Sequence, residues 1–195
     1  MSSTASPAPP SDHLLRTLAS VPVSNSVLDL GCGEGRHTVP LLRLGFPVHA
    51  CDPDPSAVRA TQSAISPLVG DDTARTCVQA CPLEELSDID EAFDWIICDR
   101  AERYATSMSE LKALFQSAHT LLAPGGWLFV TVPSRSAAAE EANERTGGAH
   151  FSEDELEAAR SHAGLSLSRE PSRIDETQAP RLRALYRRTH PGASA

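Results

Sequence analysis

The chain has 195 residues, 41% of them hydrophobic, enough for a sizeable core within a single domain. A formal charge of −9 and a pI near 5.2 argue against broad contact with a nucleic-acid backbone, which needs a basic face. No stretch approaches the roughly 20 apolar residues that a membrane-spanning helix requires.

The first ten residues, MSSTASPAPP, lack the positive start and apolar run of a secretory signal. Residues 1–10 therefore read as a disordered tail, residues 11–190 as one domain, and the expected location is cytoplasmic. Ser11 and Asp12 can cap a short helix with Leu14, Leu15 and Leu18 on one face. SVLDL (26–30) is a short apolar strand. RHTVPLLRL (36–44) predicts a helix that ends at Gly45, with Pro40 tolerated in its first turn. PVHAC (47–51) is a second strand. Asp54 as N-cap and Pro55 as first helical residue start a helix that turns Ala57, Val58 and Ile65 inward.

A third strand is expected around RTCVQ (75–79), then a polar loop containing Glu84, Glu85, Asp88 and Asp90. FDWIIC (93–98) carries a strong strand signal. Ser107 and Glu110 have capping-box spacing, ahead of Leu111, Leu114, Phe115, Ala118, Leu121 and Leu122 at helical intervals. Pro124-Gly125-Gly126 breaks that helix, and WLFVTV (127–132) is a buried strand. Residues 135–150 are polar and small, a frayed helix or a loop. Ser152 and Glu155 form a second capping box, for a helix that stops at Gly164. LSLSRE and PRLRALYRR then read as an antiparallel strand pair at a sheet edge. The basic residues Arg181, Arg183, Arg187 and Arg188, with Leu182, Ala184, Leu185 and Tyr186 between them, are expected to face solvent.

Apolar strands alternating with amphipathic helices indicate an α/β fold, a doubly wound and mostly parallel sheet with helices on both faces. The five cysteines, Cys32, Cys51, Cys77, Cys81 and Cys98, are odd in number and form no CxxC pair. Free buried thiols explain them better than disulfides or zinc.

Ligands of such sheets bind outside the carboxyl ends of the strands. The first strand-to-helix turn is Gly31-Cys32-Gly33-Glu34-Gly35, and a dinucleotide fingerprint would need glycine where Arg36 stands. Asp29 and Glu34 would also repel a diphosphate. A cationic ligand reverses that sign, and Asp52, closing the second strand, occupies the place of a carboxylate that accepts ribose hydroxyls. An adenosine with a cationic amino-acid tail, S-adenosylmethionine, satisfies both.

At these residues the chain resembles the class I S-adenosylmethionine-dependent methyltransferases. VLDLGCGEGRHTVPLLRLGFPVHACDPDPSAV is similar to the family's first two cofactor motifs, and FDWIIC and LLAPGGWLFVTVPS to its fourth and fifth strand motifs. Beyond residues 23–134, the C-terminal segment and the Gly35–Arg36 pair are similar to small tellurite-resistance-type methyltransferases, favouring a small acceptor. The resemblance implies a seven-stranded sheet whose last strands are antiparallel. It places Asp29, Gly31 and Gly33 along the methionine end of the cofactor and Asp52 on its ribose, with Arg36 a candidate for its carboxylate. Where the family often carries an acid for the adenine amino group, this chain has Ala80 and Cys81, so backbone near Cys81, Pro82 and Leu83 is expected to hold adenine. Cys32, Pro53 and Asp99 complete the expected cofactor-binding set.

Candidates for the acceptor pocket are His13, Asp99, Arg100, Glu102, Tyr104, His150 and Phe151, with 135–151 as a lid; His37 reads as a packed or solvated helix residue. Metal-dependent O-methyltransferases carry a ligand where Asp99 stands. Their second site reads Thr131-Val132-Pro133 here, so no catalytic metal is expected. The implied function is methyl transfer to a small molecule by direct in-line displacement, with no nucleic-acid or membrane partner. Two alternatives stay open: a catalytically idle cofactor-binding module serving protein interaction, and aminopropyl transfer, for which no polyamine-channel motif is present.

Overall fold

The computed structural model describes residues 9–135, 149–176 and 179–189. The tail expected at 1–10 therefore lies almost wholly outside the described residues, as does most of the segment expected to be a lid. Seven strands form a mixed sheet in the order β3-β2-β1-β4-β5-β7-β6, the architecture expected from the alternating pattern. By its internal contacts the chain divides into two compact units, Met1–Ala80 and Cys81–Ala195.

The first unit opens with α1 (Asp12–Leu18), whose N-cap Ser11 accepts the Leu14 N–H and which buries Leu14 and Leu18. Strands β1 (Val27–Leu30), β2 (Val48–Asp52) and β3 (Val78–Ala80) run parallel, β1 against β2 and β2 against β3. Helix α2 (Thr38–Leu44) admits Pro40 in its first turn, where no helical hydrogen bond is lost, and ends on a left-handed Gly45. Helix α3 (Pro55–Val69) begins as expected, with Asp54 accepting the Ser56 N–H. It turns Val58 and Ile65 into a cluster with Cys32, Ala50, Ala74 and Val78.

One expected strand is mostly helix. Residues Asp71–Cys77 form α4, leaving only Val78–Ala80 as strand. Asp71 and Asp72 sit in the first turn, where the helix dipole favours acids, and Arg75 pairs with Asp72 one turn on. That local chemistry outweighs the strand preference of the Thr-Cys-Val run.

The second unit holds β4 (Phe93–Cys98) parallel to β5 (Leu122–Pro133), then β7 (Ala179–Arg187) antiparallel between β5 and β6 (Ser166–Glu176). Short 3-10 turns occupy Leu83–Asp88 and Ala101–Arg103. Helix α5 (Met108–Leu121) buries Leu111, Leu114, Phe115, Ala118 and Leu121, but Leu122 already belongs to β5. Its expected capping box is only half formed. Ser107 accepts the Glu110 N–H, whereas the Glu110 carboxylate turns to the backbone and hydroxyl of Thr106. Those hydrogen bonds, the backbone one foremost, hold the Glu110 carboxyl below its ordinary range. The second box, Ser152 with Glu155 at the start of α6 (Glu153–Ala163), is complete, and Gly164 ends that helix in the left-handed conformation.

β4 and β5 fall out of step between Phe93 and Trp95, where Leu122 and then Trp127 are their partners. Pro124-Gly125-Gly126 lies in that interval. A Cβ on Gly126 would come within 2.9 Å of the Ala123 carbonyl oxygen and 3.0 Å of those of Asp94 and Phe93. Glycine is required there by lack of room.

Candidate functional site

In the first unit the carboxyl ends of β1 and β2 meet at the glycine turn. The Gly31 and Cys32 N–H groups both donate to the Cys51 carbonyl, at 2.8 and 3.0 Å, tying the turn to the end of β2. Gly33, at φ 58°, donates its N–H to Asp52 Oδ2 at 2.9 Å and accepts the Thr61 hydroxyl of α3 at 2.7 Å. The other Asp52 oxygen accepts the Asp54 N–H at 2.9 Å. Asp29 Oδ2 accepts the Thr38 hydroxyl at 2.6 Å, joining the end of β1 to the start of α2.

Both carboxylates are buried, Asp29 at 1% and Asp52 at 0% exposure. Two acids held so near one backbone turn are costly to bury unless hydrogen-bonded, and the loop supplies that bonding. The arrangement sets two fixed carboxylates beside one glycine-rich backbone turn. It suits a cation bearing hydroxyls and repels phosphate.

Of the other residues expected around a cofactor, Cys32 is buried and Pro53 half-buried. Arg36 is half-buried and donates Nε to the Pro9 carbonyl at 2.6 Å. His37 is buried at the N-cap position of α2, one residue outside the helix. His13 is exposed on α1.

Cys81, Pro82 and Asp99 belong to the second unit. Cys81 is buried, with its thiol 3.7 Å from the Pro82 carbonyl. All five cysteines are free, and four are buried.

The second unit has its own polar cluster at the carboxyl ends of β4 and β5. Asp99, 6% exposed, accepts the Thr131 hydroxyl at 2.7 Å. The same hydroxyl accepts the Arg100 N–H at 2.9 Å. Arg100 has φ 71°, alone among the described non-glycine residues in the left-handed region, a conformation that costs about 1–3 kcal/mol and persists only where surroundings impose it. The 3-10 turn that follows carries Glu102 and leads to the buried Tyr104. The His150 carbonyl accepts from Arg135, and Phe151, 2% exposed, bridges in parallel to Ser134.

Arg181 overturns the expectation of a solvent-facing basic row. It is 5% exposed and grips Glu102 with two parallel bonds, Nη1 to Oε1 at 2.8 Å and Nη2 to Oε2 at 2.6 Å. Arg187, by contrast, is exposed and lies over the Trp127 ring. Arg188 follows β7 and donates to the Thr120 and Leu122 carbonyls at the end of α5. Thr131 and Arg181 were not expected at a site. The available signals were an acid just past the end of β4 and a hydroxyl inside the otherwise apolar β5. Among the described residues, no three His, Cys, Asp or Glu side chains gather as metal ligands would.

A family model described as a methyltransferase domain matches residues 27–126, half of the chain, from β1 to Gly126. The chain belongs to this methyltransferase domain family. S-adenosylmethionine is the cofactor of these enzymes, as the sign of the glycine turn required. The chain is 34% identical over 133 residues to the mitochondrial ubiquinone biosynthesis O-methyltransferase of Mus musculus and 29% to that of Homo sapiens, covering 64% of this chain. It spans about a third of the length of these curated relatives, 34% of each. Among solved structures, a methyltransferase from Methanosarcina mazei is similar at TM-score 0.74 and 14% identity, covering 90% of this chain and 98% of that one. The magnesium protoporphyrin IX methyltransferase of Synechocystis, with bound S-adenosylhomocysteine, is similar at TM-score 0.71 and 16% identity, covering 91% and 80%. At these identities the likeness is one of fold.

Proposed function

We propose that this methyltransferase domain transfers the methyl group of S-adenosylmethionine to a small-molecule acceptor by direct in-line displacement. The observation that carries the reading is the pair of buried acids, Asp29 and Asp52, hydrogen-bonded into the glycine turn. When bound, the cofactor supplies a methyl carbon activated by its sulfonium. Asp52 is pre-set to receive ribose hydroxyls, since two backbone N–H groups fix its orientation before any ligand arrives. Asp29 and the Gly31–Gly33 backbone favour the cationic amino-acid end. Cys81, Pro82 and Asp99 carry their expected cofactor roles as part of the same proposal.

Catalysis in this reading rests on orientation and on shedding water from the sulfonium, and needs no covalent enzyme intermediate. The acceptor's lone pair forms the new bond as the carbon–sulfur bond breaks, and its proton leaves to solvent or to a side chain. Identity to O-methyltransferases supports an oxygen acceptor among the oxygen, nitrogen, sulfur and metalloid atoms that the sequence leaves open.

Two measurements test this. S-adenosylmethionine and S-adenosylhomocysteine should raise the melting temperature, and NAD should not. The protein should also release S-adenosylhomocysteine with some member of a panel of hydroxylated small molecules. Stabilisation by NAD alone would sink the cofactor assignment. Cofactor binding without product from any acceptor would favour the idle module.

A further inference from the structure

The polar cluster of the second unit is more elaborate than stability alone requires. Its members come from four places in the chain: Asp99 and Arg100 after β4, Glu102 on the next turn, Thr131 near the end of β5, and Arg181 early in β7. The Thr131 hydroxyl is the hub. It donates to Asp99, accepts the Arg100 N–H, and lies 3.4 Å from both Nε and Nη2 of Arg181. Arg181 Nη2 is also 3.5 Å from the Thr131 carbonyl. The fork of Arg181 is spent on Glu102, whose side chain is 29% exposed against 7% for the arginine.

A buried ion pair roughly breaks even against apolar packing of the same volume, so stability gives little reason to keep one in a sheet. Geometry gives a better one. The pair pins Glu102 two residues beyond the strained Arg100, and Thr131 pins Arg100 itself together with Asp99. A left-handed non-glycine residue relaxes unless held, and here both sides of it are held.

We propose that Arg181 is a positioning residue for methyl transfer. Acting through Glu102 and Thr131, it fixes the Asp99–Tyr104 turn in the shape that presents the acceptor. This rests on the methyl-transfer reading above. Arg181 does not touch the reacting atoms, and the Thr131–Asp99 bond does not need it, so its loss should injure acceptor use far more than cofactor affinity.

The test compares R181M, R181K, E102Q and the R181M/E102Q double variant with wild type. Cofactor binding is measured by calorimetry, acceptor kinetics with catechol and caffeate as probes, and hydrogen exchange over residues 99–105 in the cofactor-loaded protein. Cofactor Kd should stay within about twofold of wild type, since Arg181 reaches the cofactor set only indirectly and Asp99 should keep its own bond from Thr131. In R181M, kcat/KM for the acceptor should fall about tenfold to hundredfold, the scale of misplacement by roughly an ångström. R181K should recover part of the loss, and the double variant should be no worse than R181M, because both act through one contact. Exchange over 99–105 should accelerate in R181M.

Unchanged kcat/KM and unchanged exchange in R181M overturn the proposal. So does a parallel fall of cofactor affinity, melting temperature and turnover in every variant including R181K, which marks a merely structural pair. A wild type that converts neither probe counts against the methyl-transfer reading with phenolic acceptors. Exchange then decides the inference alone, and unchanged protection in R181M overturns it.

Discussion

Replacing Asp52 separates the duty the structure shows, bracing the glycine turn, from the proposed one of receiving ribose hydroxyls. Its oxygens hold the N–H groups of Gly33 and Asp54, each at 2.9 Å, in a fully buried position. A hydrogen bond to a charged group contributes about 1.5–3 kcal/mol. The two together would give about 3–6, and release from the cost of burying the charge offsets part of that, leaving about 2–4 kcal/mol for D52A. For a chain of this size that corresponds to a melting temperature lower by about 5–15 °C. D52N retains one acceptor oxygen, so about half the loss is expected. The strand-end position of Asp52 therefore does not make it dispensable to the fold. Cofactor binding gives the second readout, by calorimetry on the folded variants. If Asp52 receives ribose hydroxyls, both variants should bind S-adenosylmethionine about tenfold to hundredfold more weakly. If it only braces the turn, D52N should regain affinity along with stability. D52A that melts and binds like wild type would refute the whole argument.

Two further outcomes follow from packing and charge. G126A forces a Cβ against three backbone carbonyls and should destabilise by about 1–3 kcal/mol or more, read as a lower melting temperature; wild-type stability would mean that the β4–β5 offset can shift to make room. Burial, and then the nearby Arg188 guanidinium, hold the His119 imidazole below its ordinary pKa of 6.5. The unfolded chain therefore takes up a proton before the folded one does. The stability tied to His119 is complete above about pH 6.5 and drains away as pH falls through the lower folded value. H119Q should show a shallower loss of melting temperature on acidification, and a profile parallel to wild type would refute the assignment.

How far the sequence could be read depended on how local the deciding interaction was. Asp54–Pro55 started α3 where expected because an N-cap and its proline act within two residues. Gly45 and Gly164 ended their helices for the same reason. Errors arose where two local signals competed. Thr73, Thr76 and Val78 favour strand, yet Asp71, Asp72 and Arg75 won the first seven residues for α4. At Glu110 the expected partner lost to Thr106 by one residue. Binary patterning found every strand of the sheet, since it needs only each element's own sequence, but it placed the start of β3 and the end of α5 a few residues off.

The site divides along the same line. The glycine turn was legible because its chemistry sits in a short fixed spacing, with Asp29 and Gly33 four residues apart and only Asp52 distant. In the second unit the hub bond joins residues 32 apart, and the fork joins residues 79 apart. Along β7 the residues Arg181, Arg183 and Arg187 share one side of the strand, and alternation alone treats them alike. Burial of the first is set by Glu102, which reaches it from a turn whose backbone is itself held out of its preferred region. No pattern within β7 encodes that meeting. A buried arginine can be distinguished from its exposed neighbours only by finding the acid that neutralises it. Here that acid lies on the turn following the strand whose last residues lead into Asp99. The sequence feature that would have pointed to it is therefore on β4 and β5: an acid at one strand's end and a lone threonine in the next, an arrangement whose polar atoms demand partners once the apolar strands around them are packed.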